Sequence, residues 1–451
     1  MYFLTFFKFL NILYSFSATL STIRALKTSE QMCTPTQPSP LRLTGAFSTC
    51  SESVKEGLNQ RHPDQTRDTS QLLQKYGYPF QTYNVITKDS YILTVYRITG
   101  SPKSTRKSHS GGKQSVYLNH GFGGASNTWN FQPKSRNLPF KLADAGYDVW
   151  LANGRGTTYS LKHTNTRYTA NRDTGYWNFS FHEMGIYDVP AVTNKILSET
   201  NSRKIFYIGH SMGTTQYFIA LSELPEMNDK IAAGFLLAPT AYMGHVKRES
   251  PLRLLAPLLA NHPQHRPTNT SMSGKFENIH HLRQYLKRSP NEICDPTAKK
   301  CGICDNVMFL LFGYDAWQMN ATELPNILAK YPNNIPMKCL AHYSQNIVSC
   351  KFQKYDYGED GNIKEYGSQK APEYNLRNIR APTYFFYGEQ DTLAPPNDVQ
   401  ITASKMQNGV LKGNYKVKNK FFNHVDFILA KDANKLVYNK ILSEMKKFRR
   451  N

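Results

Sequence analysis

Lys204-Ile205-Phe206-Tyr207-Ile208-Gly209-His210-Ser211-Met212-Gly213-Thr214-Thr215-Gln216-Tyr217-Phe218-Ile219-Ala220-Leu221 is the stretch whose reading decides the fold. Ile205 to Ile208 is a run of β-branched and aromatic residues suited to a fully buried strand, and Thr214 to Leu221 carries apolar residues at helical spacing. Between them lies Gly209-His210-Ser211-Met212-Gly213, so a strand must become a helix within a few residues. Such a turn strains the backbone of its central residue and crowds the positions on either side, where only glycine fits. Ser211 is therefore expected to project its hydroxyl at the carboxyl end of a strand, beside helix-terminal N–H groups that stabilise an anion. A surface turn that merely contains serine is the competing reading. The strand before it and the helix after it argue for a nucleophile.

Outward from this stretch, strands and helices alternate. Gln81 to Thr99 alternates around Lys88-Asp89-Ser90 and predicts a hairpin. Ser115 to Leu118 predicts a short buried strand that runs into Asn119-His120-Gly121-Phe122-Gly123-Gly124. That loop lacks the G-x-x-x-x-G-K-[ST] pattern of a phosphate cradle, and it suits the supply of a backbone amide to an oxyanion. Tyr147 to Ala152 and Ala232 to Leu237 predict further buried strands, with a helix over His182 to Leu197. The sheet is expected to resume with Thr383 to Tyr387 and Tyr415 to Phe422. These features imply an α/β fold with a mostly parallel central sheet covered on both faces. Between 241 and 370 the alternation stops, and short apolar helical patches such as Leu252 to Leu259 and Leu340 to Val348 predict an inserted helical cap or lid.

The 451 residues suit one large α/β domain with such an insertion, and a hydrophobic fraction of 40% allows a sizeable core. Residues 1–21 read as a secretory signal, with an uncleaved signal anchor as the alternative, and residues 22–71 as a flexible linker or pro-segment. The core is expected in two parts, 72–240 and 371–451, on either side of the 241–370 insertion. Seven cysteines suit an oxidising compartment. Cys301-Gly302-Ile303-Cys304 resembles half of a zinc or redox motif, but no second half follows, so neither metal nor cofactor is expected. The net charge of +22 is spread along the chain without a basic helix or an aromatic-interleaved groove, which argues against nucleic acid. A solvated surface accounts for the charge, with contact to anionic lipid interfaces as the functional alternative.

Each resumed strand runs into a candidate partner for the serine: Asp391 in Gly388-Glu389-Gln390-Asp391, and His424 in Asn423-His424-Val425-Asp426. The chain order Ser211, Asp391, His424 is that of an α/β-hydrolase triad. Ser211 needs a base, His424 can take and return its proton, and Asp391 can hold the imidazole in the right tautomer. The amides of Phe122 and Met212 would receive the oxyanion. Glu389, Asp398 and Asp426 are rivals for the acid. Asp398 falls within the next helix and Asp426 lies beyond the base, which favours Asp391.

At these residues the chain resembles the acid lipases, the family of gastric and lysosomal acid lipase, from about Tyr76 to Asp426. The matching stretches include Tyr76-Gly77-Tyr78-Pro79, His120-Gly121, Gly146-Tyr147-Asp148-Val149-Trp150-Leu151, Asn153 with Arg155-Gly156, Gly209 to Gly213 and His342-Tyr343-Ser344-Gln345. Tyr387-Gly388 with Asp391, and His424 with Asp426-Phe427, complete them. The resemblance implies an α/β-hydrolase with triad Ser211, Asp391 and His424 and oxyanion amides at Phe122 and Met212. It further implies hydrolysis of triacylglycerols or sterol esters at a lipid–water interface, with peripheral contact to a membrane or lipid droplet, in a secreted or lysosomal setting. A cap disulfide looks like Cys294 to Cys304 here. Two departures, Gly123-Gly124 after the oxyanion turn and Leu429-Ala430 after the histidine, bear on acyl-chain preference. The sequons at Asn269 and Asn320 suit exposed cap loops, whereas the one at Asn178 sits in a motif expected to be buried. A carboxylesterase or acyltransferase with the same triad is the nearest alternative, and a non-catalytic lipid-binding protein on the same fold is the alternative of another class.

Overall fold

The computed structural model describes residues 62–102, 112–170, 174–247, 250–260, 315, 317–334 and 336–448. Among them one sheet is built from β1 (Phe80–Ile86), β2 (Tyr91–Ile98), β3 (Ser115–Asn119), β4 (Asp148–Ala152), β5 (Lys162–His163), β6 (Ile205–His210), β7 (Ile231–Leu237), β8 (Thr383–Tyr387) and β9 (Leu411–Lys416). Their order is β1-β2-β4-β3-β6-β7-β8-β9, with β5 on β2. The pairings of β2 with β1, β4 and β5 are antiparallel, and every pairing from β4 across to β9 is parallel.

The burial of the strands follows from their places. β3, β4, β6 and β8 are buried at every residue, as strands with helices on both faces must be. At one edge β9 alternates half-buried and exposed residues and carries Lys412, Asn414 and Lys416 outward, which blunts it against pairing with another chain. The helices used below are α1 (Thr69–Lys75), α2 (Val189–Thr200), α3 (Met212–Glu223), α4 (Pro251–Ala260), α5 (Leu324–Lys330), α6 (Met337–Ser349) and α7 (Pro396–Lys405). α4, α5 and α6 lie in the long excursion that leaves after β7 and returns at β8, although these two strands are neighbours in the sheet.

Three expectations need correction and one needs refinement. The boundary set at residue 72 falls inside α1, because Asp68 and Gln71 form a capping box and Asp64 pairs with Lys75 at 2.6 Å, so polar residues that read as linker serve a helix start. The helix expected over His182 to Leu197 is present and runs without interruption from Phe181 to Thr200, but with a π turn inside it. Ser180 caps its start at Phe181–Glu183, a wide π turn covers Met184–Asp188, and the α ladder resumes as α2 at Val189. Pro190 accounts for the π turn, since its missing N–H and its ring disfavour a regular α ladder through this point. The last strand spans Leu411–Lys416 rather than Tyr415 to Phe422, because Asn419 closes a turn by accepting from Phe421 N at 2.9 Å and from Phe422 N at 3.1 Å. Phe422 is then buried against Phe427 with ring centroids 4.8 Å apart, outside the ladder. Asn178 is exposed, although Trp177 and Phe179 on either side are buried. The amino-terminal segment, Asn269 and the Cys294–Cys304 pair lie outside the described residues.

Candidate active site

Ser211 stands between β6 and α3 with φ 51° and ψ −119°, a backbone conformation that costs a non-glycine residue about 1–3 kcal/mol. Its surroundings hold it there. Its N–H donates to Leu237 O at 2.9 Å, tying the turn to the end of β7. A Cβ added at Gly209 would lie 2.8 Å from the Gly213 carbonyl, and one at Gly213 would lie 2.5 Å from Asn119 O. Strand, turn and helix close on one another only because both positions lack a side chain.

His424 Nε2 lies 2.7 Å from Ser211 Oγ, and its Nδ1 lies 2.9 Å from both carboxylate oxygens of Asp391. Asp391 Oδ1 also accepts from Leu393 N at 2.9 Å and Ala394 N at 2.7 Å. An ionised carboxylate only accepts, so Nδ1 carries the ring proton and Nε2 offers its lone pair to the serine hydroxyl. Asp391 is fully buried and His424 nearly so. The rival acids are engaged elsewhere: Glu389 faces solvent and pairs with Lys416 at 3.2 Å, Asp398 pairs with His245 at 2.7 Å, and Asp426 accepts from Asn423 N at 2.7 Å. Burial raises the carboxyls of Asp398 and Asp426 above the ordinary carboxylate range.

The loop after β3 lies against the serine, for a Cβ added at Gly121 would come within 3.0 Å of Ser211 Cβ. His120 Nε2 accepts from Gly154 N at 3.0 Å, so its Nδ1 bears the proton and donates to Gly121 O at 2.9 Å. Burial lowers the pKa of His120 to about 4, which keeps this pattern of a neutral ring intact. Because Gly121 C=O and Phe122 N–H belong to one planar peptide, anchoring the carbonyl on one side aims the amide to the other. Neither Phe122 N–H nor Met212 N–H donates to an acceptor among the described residues.

The contacts of two residues could not be read from the sequence, although both stand in stretches that match the family. His210, next to the serine, donates from Nε2 to His424 O at 2.8 Å and so holds the backbone of the base. Its pKa falls to about 3, through burial and then through repulsion from His424. Arg155 is fully buried and gathers two carboxylates, Asp188 at 2.7 Å and Asp89 at 2.8 Å, beneath the loop that meets His120. These partners are distant in sequence, and only the fold brings them together. Among the described residues no group of three His, Cys, Asp or Glu side chains is arranged to hold a metal ion.

The family description "partial alpha/beta-hydrolase lipase region" matches residues 69–132, and "alpha/beta hydrolase fold" matches residues 114–271. Lipase 3 of Drosophila melanogaster is 37% identical over 382 residues, covering 84% of this chain and 93% of that protein. Lipase member K of Homo sapiens is 33% identical over 398 residues, 87% of this chain and 94% of the relative. Gastric triacylglycerol lipase of Homo sapiens is 32% identical over 388 residues, 86% and 92% of the two chains. At such identity over nearly the whole of each relative, the chain belongs to the acid lipase family of α/β-hydrolases, a family of carboxylic ester hydrolases.

Proposed function

We propose that this chain is a serine hydrolase of water-insoluble lipid esters, triacylglycerols or sterol esters, acting through Ser211, His424 and Asp391. The observation that carries the reading is the continuous hydrogen-bonded path from Ser211 Oγ through His424 to Asp391, 2.7 Å and 2.9 Å long. Ser211 attacks the ester carbonyl while His424 Nε2 takes its proton. The charge that develops on the carbonyl oxygen is received by the amides of Phe122 and Met212, each of which contributes about 3–4 kcal/mol in a site of this kind. His424 then returns the proton to the departing alcohol, leaving an acyl group on Ser211. Water, activated by the same imidazole, releases the fatty acid.

The lipid side of the reading rests on the relatives and on apolar surface near the excursion. Leu254 and Leu258, one turn apart on α4, are 61% and 63% exposed, and Trp317 is 73% exposed. Exposed large apolar side chains of this kind suit contact with a lipid–water interface. The segment 241–370 acts as the cap over the site, and passage through the secretory pathway is supported by the apolar amino terminus and by the disulfide at Cys350. Asn320, half-buried with its Oδ1 accepting from Thr322 Oγ1 at 3.0 Å, is the described sequon of the two expected on cap loops.

The test is labelling with a fluorophosphonate probe together with turnover of emulsified triolein, cholesteryl oleate and a soluble butyrate ester. Wild type should be labelled and should hydrolyse at least one of the two oleate esters, and Ser211→Ala should lose both properties. Turnover of the soluble ester alone would assign a carboxylesterase instead. A Ser211→Ala protein that still labels would remove the serine from the mechanism.

A further inference from the structure

The loop that carries the Phe122 amide is held from outside the core by the excursion. Gly124 N donates to Gly121 O at 3.0 Å, closing a β-turn with Phe122 and Gly123 at its centre. Gly123 has φ +65° and Phe122 does not have positive φ, which makes this a type II turn. The peptide between the two central residues is the element of a β-turn that can rotate by about half a turn and convert type II into type I while leaving the ends in place. Here that peptide is pinned. Tyr331, which follows α5, donates from its hydroxyl to Phe122 O at 3.0 Å, and Asn333 N donates to Gly123 O at 2.6 Å.

The pinning segment is itself fixed to the core. Asn333 Oδ1 accepts from Thr158 N at 2.9 Å, and Asn334 Nδ2 donates to Gly156 O at 3.1 Å. The ring of Tyr331 meets the edge of Phe131 at 6.5 Å, and Asn326 on α5 donates to Phe131 O at 3.1 Å. Two consecutive carbonyls of the turn are thus satisfied by a segment that the chain reaches only after β7. Tyr331 is 209 residues from Phe122 in the sequence.

We propose that Tyr331 is a positioning residue for ester hydrolysis. Its hydroxyl and the Asn333 N–H tie the Phe122 and Gly123 carbonyls, so that the 121–124 turn as a whole stays seated against Ser211 and the Phe122 amide, whose own peptide is anchored through Gly121 O, keeps its place at the oxyanion. The inference rests on the Ser211 mechanism above and adds a role for a residue that touches neither substrate nor triad. It also gives the 331–334 segment a part in catalysis beyond covering the site. Without the hydroxyl, the ground-state complex forms as before, while the turn must be ordered each time charge develops. The loss therefore falls on kcat and spares KM.

The experiment compares wild type, Tyr331→Phe and Phe131→Leu on a soluble butyrate ester, with an alkyl trifluoromethyl ketone as a mimic of the tetrahedral adduct on Ser211. Tyr331→Phe should lower kcat by about tenfold with KM unchanged and raise the inhibition constant of the ketone by the same factor. Phe131→Leu, which loosens the same ring and keeps the hydroxyl, should lower the melting temperature without that paired change. Overturning results are an unchanged kcat in Tyr331→Phe, a fall in kcat with the ketone constant unmoved, or the same paired change in Phe131→Leu. If wild type itself shows no turnover and no fluorophosphonate labelling, the Ser211 mechanism fails and this inference falls with it. Normal wild-type turnover beside an unaffected Tyr331→Phe sinks this inference alone.

Discussion

Replacing Asp391 by asparagine should do more harm than removing the side chain altogether. In the wild type, Asp391 Oδ1 already accepts from Leu393 N at 2.9 Å and Ala394 N at 2.7 Å. An asparagine there keeps its carbonyl on those two amides and turns its NH2 toward His424 Nδ1. Two donors cannot face one another, so the imidazole moves its proton to Nε2, where it points at Ser211 Oγ across 2.7 Å and can no longer accept the hydroxyl proton. General-base catalysis is lost together with the charge that stabilises the imidazolium. For a Ser-His-Asp triad the expected fall in kcat is about 10⁴-fold, or about 5.5 kcal/mol. Asp391→Ala leaves Nδ1 free to keep its proton, so its kcat should exceed that of Asp391→Asn by about tenfold. The assay is initial rate on a soluble p-nitrophenyl ester, which removes interfacial steps, with circular dichroism to establish folding. Folded Asp391→Asn protein with more than a tenth of wild-type kcat, or with more than Asp391→Ala, would refute the tautomer argument.

Two predictions concern stability. Arg155→Met leaves Asp188 buried without its main partner, and should destabilise the fold by about 3–5 kcal/mol, read from urea midpoints. Adding Asp188→Leu should recover part of the loss, and no recovery would mean that the ion pair is not the cause. Burial also lowers the pKa of His342 to about 3, below its unfolded value of 6.5. The unfolded chain therefore binds the extra proton first, and the contribution of this residue is complete above about pH 6.5 and is lost as pH falls toward 3. Stability should decline by about 1.4 kcal/mol per pH unit from this one group between pH 6 and 4. His342→Gln should flatten the curve by that slope, whereas an unchanged slope would show that the buried ring is not responsible.

The parts of the site that could be read from the sequence are those in which chemistry and local geometry coincide. Ser211 was legible because the glycines beside it answer contacts within the same turn and with the neighbouring strand end. Asp391 was legible because it follows the apolar run of β8, whereas His424 lies beyond the end of β9 and was legible from its place in the chain order after Ser211 and Asp391. The end of β9 was misread because Phe421 and Phe422 look like strand residues, and only Asn419, by bending the chain, decides that Phe422 packs on Phe427. The π turn at Met184–Asp188 was hidden by an apolar spacing that fits an ordinary helix. His210, Arg155 and Tyr331 act through partners far along the chain, and no periodicity or motif encodes such a meeting.

The departure of the chain after β7 and its return to the adjacent β8 separate two kinds of change. The strand pairings are made by residues outside the excursion, and loop closure is insensitive to size, each doubling costing about 0.6 kcal/mol. Insertions away from the packed residues should therefore cost little in folding. Two stretches are exceptions: 331–334, bonded to the 121–124 turn and to Gly156 and Thr158, and α6, whose His342 stacks on Phe181 at 4.0 Å and whose Tyr343 hydroxyl meets Thr215 Oγ1 at 2.9 Å. A chimera that borrows a relative's excursion should keep 331–334 and the core-facing side of α6 native, or recruit an equivalent hydroxyl, if it is to retain turnover as well as solubility.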